Sequence, residues 1–281
     1  MTELLARHLS TQDHIARIRR HVVDMVCGPE GGHLGGSLSC TDILGTLYFD
    51  VMNIDPQHPD RPDRDMLFLS KGHAAVALYA TLAERGYFDV EELGTFGTSS
   101  GRLMGHPVRA VPGVELPTGS LGHGLGLGLG VALADRLHGT QRRVFVVLGD
   151  GEMQEGSVWE SAAVAAAQNA ERLTAIVDRN GLQLSDHTES VVGLEPLAER
   201  WRSFGWTVRE VDGHDQNQLR ESLTSAPVHR RPTVLIADTC KGYGVAMLSS
   251  RVGSHFVTPS AQQEQRIRAS LEAFLQRGGP R

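Results

Sequence analysis

Two apolar patterns alternate along the chain, and their order predicts the fold. Short runs rich in apolar residues recur at 65–70 (DMLFLS), 144–148 (VFVVL, unbroken), 173–178 (LTAIVD), 206–211 (WTVREV) and 233–238 (TVLIAD). Runs of this length suit strands, and the most continuous suit strands buried on both faces of a parallel sheet. Between them lie longer segments with apolar residues at helical spacing. Over 12–27, Ile15, Ile18, Val22, Met25 and Val26 share one face, and Arg17, Arg19 and Arg20 fall off it. The same reading predicts helices over 74–85, 157–169, 216–223 and 261–276. Thr258-Pro259 is placed to cap the last of these, and Ser39 or Thr41 to cap a helix bearing Ile43, Leu44, Leu47 and Tyr48. Strands alternating with helices predict an α/β fold, a parallel sheet with helices on both faces. The length, 281 residues, suits one large domain spanning 1–281, with no interior boundary.

Punctuation between the elements is as informative. Residues 53–64 hold three prolines and read as loop. Residues 94–120 hold three prolines and six glycines, too many for a regular element. A loop this long in a compact domain is usually functional. Residues 185–200 read as a loop and a short helix. Gly124, Gly126, Gly128 and Gly130 alternate with leucine, a local pattern that says strand or linker.

Composition narrows the functional class. The formal charge is −6, with no basic run, so nucleic-acid binding is not expected. No apolar run is long enough to span a membrane, and the first twenty residues lack the apolar core of a signal peptide. Three cysteines with no CxxC pair suit a reducing cytoplasm rather than a disulfide framework.

The candidate chemistry starts at Gly149-Asp150-Gly151, directly after the 144–148 strand. The glycines permit a tight turn and close approach of a ligand to the backbone. Asp150 and Asn180 stand just past the ends of two strands of one βαβ unit, the edge where α/β sheets bind ligands. A carboxylate and an amide oxygen are hard ligands that suit Mg²⁺ or Ca²⁺ carrying phosphate oxygens. Taken singly, either residue is an ordinary turn former. His33 is expected on a glycine-rich loop (GGHLGG), His73 at a strand end opening a helix, where anions are favoured, His106 in the 94–120 loop, and His255 near the C-terminus.

At these residues the sequence resembles the thiamine-diphosphate enzymes, whose signature is GDG followed about one crossover later by Asn. Within them GDGEMQEGSVWE resembles transketolase, and the likeness covers most of the chain. KGH at 71–73, GHP at 105–107, TGSLGHG at 118–124 (the family commonly has GPLGQG) and TCKGYG at 239–244 extend it. The resemblance implies the thiamine-diphosphate-binding fold, diphosphate-binding domain, and a helix where the glycines alternate. It implies that Asp150, Asn180 and the Leu182 carbonyl hold Mg²⁺ or Ca²⁺, and that Gly151 packs on the diphosphate of thiamine diphosphate. His73 would bind diphosphate, with His255 between diphosphate and substrate. Gly119 and Leu121 would lie near the cofactor rings, and Gly149 and Glu152 are counted with the cofactor stretch, though Glu152 reads by itself as an ordinary glutamate. His33, His106 and His255 would face the sugar, and Glu155 would meet the partner's activating glutamate. Arg102 and Arg109 are further candidates for a sugar phosphate, and His123 for an extra polar group.

Transketolases are normally much longer, with a pyrimidine-binding and a C-terminal domain that this chain does not match. The resemblance therefore implies a split enzyme. Its partner would be a C-terminal transketolase subunit carrying the pyrimidine-binding domain, in an α₂β₂ assembly acting on sugars or sugar phosphates. Other readings remain open at this point. A deoxyxylulose-phosphate-synthase-like subunit would lack the EMQEG form, and a 2-oxo-acid dehydrogenase α-like subunit would lack KGH and GHP. A non-catalytic cofactor-binding subunit is set against the intact Asp150, Asn180, His73 and Glu155.

Overall fold

The computed structural model describes residues 9–278. Five strands form one sheet: β1 (Met66–Leu69), β2 (Val144–Gly149), β3 (Leu173–Arg179), β4 (Thr207–Asp212) and β5 (Thr233–Asp238). Their order is β1-β2-β3-β5-β4, and every pair is parallel. After β3 the chain crosses to the far edge as β4, then returns to fill the gap as β5. The register sets Gly149 beside Asp178 and Arg179 beside Asp238, so the residues that follow β2, β3 and β5 emerge at one edge.

Among the described residues ten α-helices surround the sheet: α1 (Thr11–Val26), α2 (Leu34–Ser39), α3 (Thr41–Thr46), α4 (Ala75–Arg85), α5 (Gly124–His138), α6 (Gly156–Ala167), α7 (Thr188–Val191), α8 (Leu197–Ser203), α9 (Gln216–Thr224) and α10 (Ala261–Gln276). Strand side chains alternate between two cores, as pleating requires. Leu67, Phe145, Val147, Ile176 and Leu235 pack with apolar residues of α1, α3, α4, α9 and α10. Phe68, Val146, Leu148, Val177 and Val234 pack with those of α5, α6 and α8. The sheet is thus covered on both faces over β1, β2, β3 and β5, which is why those strands read as apolar runs, while the edge strand β4 stays partly exposed.

The alternating glycines form a helix, α5, against their local propensity. Packing explains this. A Cβ at Gly128 would come 2.5 Å from Val146 Cγ2, and one at Gly124 2.3 Å from Ser70 Oγ, so glycine is what lets α5 lie against the sheet.

Several sequence expectations are corrected. The GGHLGG segment is helical from Leu34 onward, and neither Ser39 nor Thr41 caps a helix. Ser39 Oγ donates to Asp178 Oδ2 (2.6 Å) and Thr41 Oγ1 to the Ser37 carbonyl (2.8 Å). The last helix is capped by Ser260 in a capping box with Gln263, not by Thr258-Pro259. Arg19 is fully buried. It pairs with Asp42, donates to the Leu38 (3.0 Å) and Tyr243 (3.2 Å) carbonyls and stacks on Tyr243. Among the described residues no helix is long and apolar enough to cross a membrane.

Candidate active site

Loops leaving β1, β2, β3 and β5 wall a cavity of about 390 Å³ at the C-terminal edge of the sheet. Thirteen of the residues nominated from the sequence line it: His33, His73, His106, Gly119, Leu121, Gly149, Asp150, Gly151, Glu152, Glu155, Asn180, Leu182 and His255. Two lysines that the sequence reading left without a role, Lys71 and Lys241, line it as well, with Gly36, Gln154, Gln183 and Leu184. A signal existed for both: each follows a strand end at the ligand-binding edge.

The loop 94–120 reaches the site through Gly72. A Cβ there would come 2.6 Å from the Thr118 carbonyl carbon, so glycine alone lets the two loops touch. The loop delivers His106, whose backbone carbonyl accepts from Tyr79 Oη (2.8 Å), and Gly119. Glu152 is more than an ordinary glutamate. It is buried and braces three segments, accepting from Ser70 Oγ, Gly122 N (2.8 Å) and Gly149 N (3.1 Å). Burial raises its pKa, and these donors oppose the rise. Glu155 is exposed at the start of α6.

Four histidines cluster. The His33 ring centroid lies 5.6 Å from His73, 5.8 Å from His106 and 5.2 Å from His255, and His73 lies 5.2 Å from His255. Burial lowers the pKa of His33 to about 4, helped by His106 and Lys241. Burial, with Lys241 and His33, lowers that of His255 to about 4, and His73 falls well below the ordinary value for the same reason. These three rings are therefore neutral near pH 7.

The candidate metal ligands converge on the same wall. Asp150 is 2% exposed; its Oδ1 accepts from Gly151 N (2.8 Å), and its Oδ2 from Gly181 N (2.6 Å) and Arg179 Nη1 (3.0 Å). Burial, then the nearby Asp178 charge, raise its pKa. Asn180 Oδ1 accepts from Leu182 N (3.1 Å), and Asn180 Nδ2 donates to Asp178 Oδ2 (3.3 Å), which fixes the amide's orientation. The Leu182 carbonyl accepts from Lys241 Nζ (3.2 Å). Each of the three oxygens keeps one acceptor direction free. Among the described residues no three His, Cys, Asp or Glu could hold a metal together. A cation here would use one carboxylate, one amide and one carbonyl, and take its remaining oxygens from phosphate and water. The donor set is hard and oxygen-only, so it fits Mg²⁺ or Ca²⁺. The Lys241 ammonium, whose partners are the neutral Leu182 and Gln183 carbonyls and His255, makes the adjoining space suited to a polyanion.

Three nominated extras do not reach the cavity. Arg102 pairs with Glu92 (2.6 and 2.9 Å). Arg109 and His123 are exposed and lie off the lining, and His123 Nδ1 instead sits 3.0 Å from the Leu121 carbonyl.

The sequence matches, over residues 10–274, the family described as transketolase, thiamine diphosphate binding domain. The chain belongs to the transketolase family. It is 39% identical over 256 residues to an apulose-4-phosphate transketolase subunit of Phocaeicola vulgatus, covering 90% of this chain and 91% of that one. A 6-deoxy-6-sulfo-D-fructose transketolase subunit of a Clostridium species is 37% identical over 262 residues, covering 92% and 95%. The transketolase of Leishmania mexicana superposes with a TM-score of 0.87 at 27% identity, covering 94% of this chain and 41% of that one. The chain thus spans about two-fifths of that solved transketolase, and nearly all of the two subunit relatives. It is a transketolase-type subunit with the thiamine-diphosphate-binding α/β fold. The synthase-like and dehydrogenase-like alternatives give way to it.

Proposed function

We propose that the whole chain, 1–281, is the diphosphate-binding domain of a split transketolase. With a pyrimidine-domain partner it would transfer a two-carbon ketol unit from a ketose, usually phosphorylated, to an aldose. One observation carries the reading: four histidine rings line a single cavity at the sheet edge together with Asp150, Asn180 and Leu182, the residues read as candidate metal ligands. Thiamine diphosphate, when bound, supplies the nucleophilic carbon and the electron sink.

The chain's own residues bind, orient and hold protons. Asp150 Oδ1, Asn180 Oδ1 and the Leu182 carbonyl would hold Mg²⁺, with Ca²⁺ as the alternative. Gly151, His73 and Lys241 would face the diphosphate, and Gly119 and Leu121 the cofactor rings. His255 Nδ1 lies 3.2 Å from Lys241 Nζ. A neutral His255 beside a charged Lys241 accepts at Nδ1, which leaves Nε2–H as a donor toward the cavity. His33 and His106 complete a set of imidazoles suited to the sugar's hydroxyls and carbonyl.

Glu155 is exposed at the cavity's edge, which leaves it free to meet a partner carboxyl. Two relatives of nearly the same length are named as transketolase subunits, which supports a partner-requiring enzyme. We take the assembly to be α₂β₂, and the sparse unpaired cysteines to suit the cytoplasm.

The test is to assay the purified chain with thiamine diphosphate, Mg²⁺ and a ketose phosphate–aldose pair, alone and with a pyrimidine-domain subunit. Ligand sites bury most of their ligand, and this cavity lacks the partner's half, so turnover is expected only in the mixture. Robust turnover by the chain alone would overturn the split.

A further inference from the structure

Arg179 ends β3, next to Asn180, and reaches two ways. Nη1 donates to Asp150 Oδ2 (3.0 Å), while Nη2 donates to Glu189 Oε1 (2.7 Å) and Glu195 Oε1 (3.0 Å), two exposed carboxylates of the segment after β3. Each oxygen of a carboxylate offers two acceptor directions. Arg179 and Gly181 N fill both on Oδ2, while Gly151 N takes one on Oδ1. Asp150 can therefore offer a cation one oxygen and not two.

That count bears on which cation the site prefers. Mg²⁺ demands a near-ideal octahedron and takes few carboxylates, whereas Ca²⁺ accepts more oxygens and often takes a carboxylate bidentately. We propose that Arg179 is a specificity-determining residue of the metal site: by closing Asp150 Oδ2 it confines the carboxylate to one-oxygen coordination and favours Mg²⁺ over Ca²⁺. The guanidinium can sit beside a dication because Glu189 and Glu195 match its charge. Partners of metal ligands commonly tune affinity in this way. The inference rests on the reading of Asp150 as a metal ligand.

The experiment reads metal occupancy, not turnover. Mn²⁺ bound with thiamine diphosphate to the chain assembled with its pyrimidine-domain partner is followed by electron paramagnetic resonance and displaced by Mg²⁺ or by Ca²⁺. Arg179→Met, which removes charge and donors, is expected to raise the Ca²⁺-to-Mg²⁺ affinity ratio roughly tenfold. Arg179→Lys, which keeps the charge and supplies one donor group, covers a failure of the first variant to fold; it should move the ratio the same way by less. An unchanged ratio in a folded variant overturns the proposal, even if both affinities change together. Asp150→Asn separates the two readings. If it holds Mn²⁺ as tightly as the wild type, the ligand assignment fails, and the inference with it. If it loses Mn²⁺ while the Arg179 ratio stays put, only the role of Arg179 fails.

Discussion

Lys71 and Lys241 stand past the C-terminal ends of β1 and β5 on one cavity, and their surroundings are opposite. At the floor, Lys71 Nζ pairs with Asp178 and donates to the Gly36 carbonyl (3.0 Å). Asp178 also accepts from Ser39 Oγ (2.6 Å) and Thr239 Oγ1. Burial alone would lower the Lys71 pKa, but the Asp178 carboxylate overrides it and holds the value above that of an ordinary lysine. At the rim, among the described residues, Lys241 Nζ finds only the Leu182 and Gln183 carbonyls (3.2 Å each) and His255 Nδ1. Burial, with the Lys71 charge, lowers its pKa to about 8. A buried ammonium with a dedicated carboxylate holds structure together. One that faces a cavity with only neutral partners is poised for an anionic ligand.

The largest effect should fall on the floor. Lys71→Met leaves the Asp178 carboxylate buried without its cation, which costs about 3–5 kcal/mol of stability. Chemical denaturation of the chain measures it. Replacing both residues by apolar ones of similar size should recover most of that loss, because the uncompensated charge goes with them. A single variant that lost less than about 1 kcal/mol would show that Ser39, Thr239 and Asn180 satisfy the carboxylate without the lysine, and the floor and rim would no longer differ in kind.

The rim should respond in affinity rather than stability. Lys241→Met removes a charge without abandoning a carboxylate, so its stability should stay near that of the wild type. A hydrogen bond to a charged group contributes about 1.5–3 kcal/mol, so thiamine diphosphate affinity should fall about tenfold or more. Titration of the cofactor onto the assembled enzyme, at fixed Mg²⁺, reads this directly. Equal affinities would mean that Lys241 serves the Leu182–Gln183 turn and not the ligand.

How far the sequence disclosed all this depends on the range of the interaction. The βαβ unit from Val144 to Arg179 was legible because apolar runs, a GDG turn and an alanine-rich helix are local signals. The placement of Asp150 and Asn180 at neighbouring strand ends followed from that unit. The α5 helix was legible only through family resemblance, since its glycines are explained by Val146 and Ser70, contacts that no local pattern contains. Charge partners were the least legible. Lys71 and Asp178 are 107 residues apart, and Arg19 stood off an apolar stripe like any solvated arginine, although Asp42 and Tyr243 bury it. Arg179 carries no signature of its own, because its meaning lies in the lone pairs of Asp150, just past the end of another strand.

The smallest effect is the pH dependence, which separates the two lysines in one titration. Unfolding returns Lys241 from about 8 to the ordinary value of 10.5. Between those values the unfolded chain binds more protons, so stability should rise with pH across that window. Lys71, held above its ordinary value, contributes stability that is fully present below 10.5 and lost only as pH rises through its folded value. It is silent in the same window. Affinity should move the other way: diphosphate needs the charged Lys241, so cofactor binding should weaken about fourfold by about pH 8.5. His33 and His255, both at about 4, stay neutral throughout and add nothing to the slope. Cofactor titrations from about pH 7 to 9 on wild type and Lys241→Met isolate the effect. The wild type should lose affinity and the variant should be flat. Parallel curves would place the titration elsewhere and remove the rim lysine from the account of anion binding.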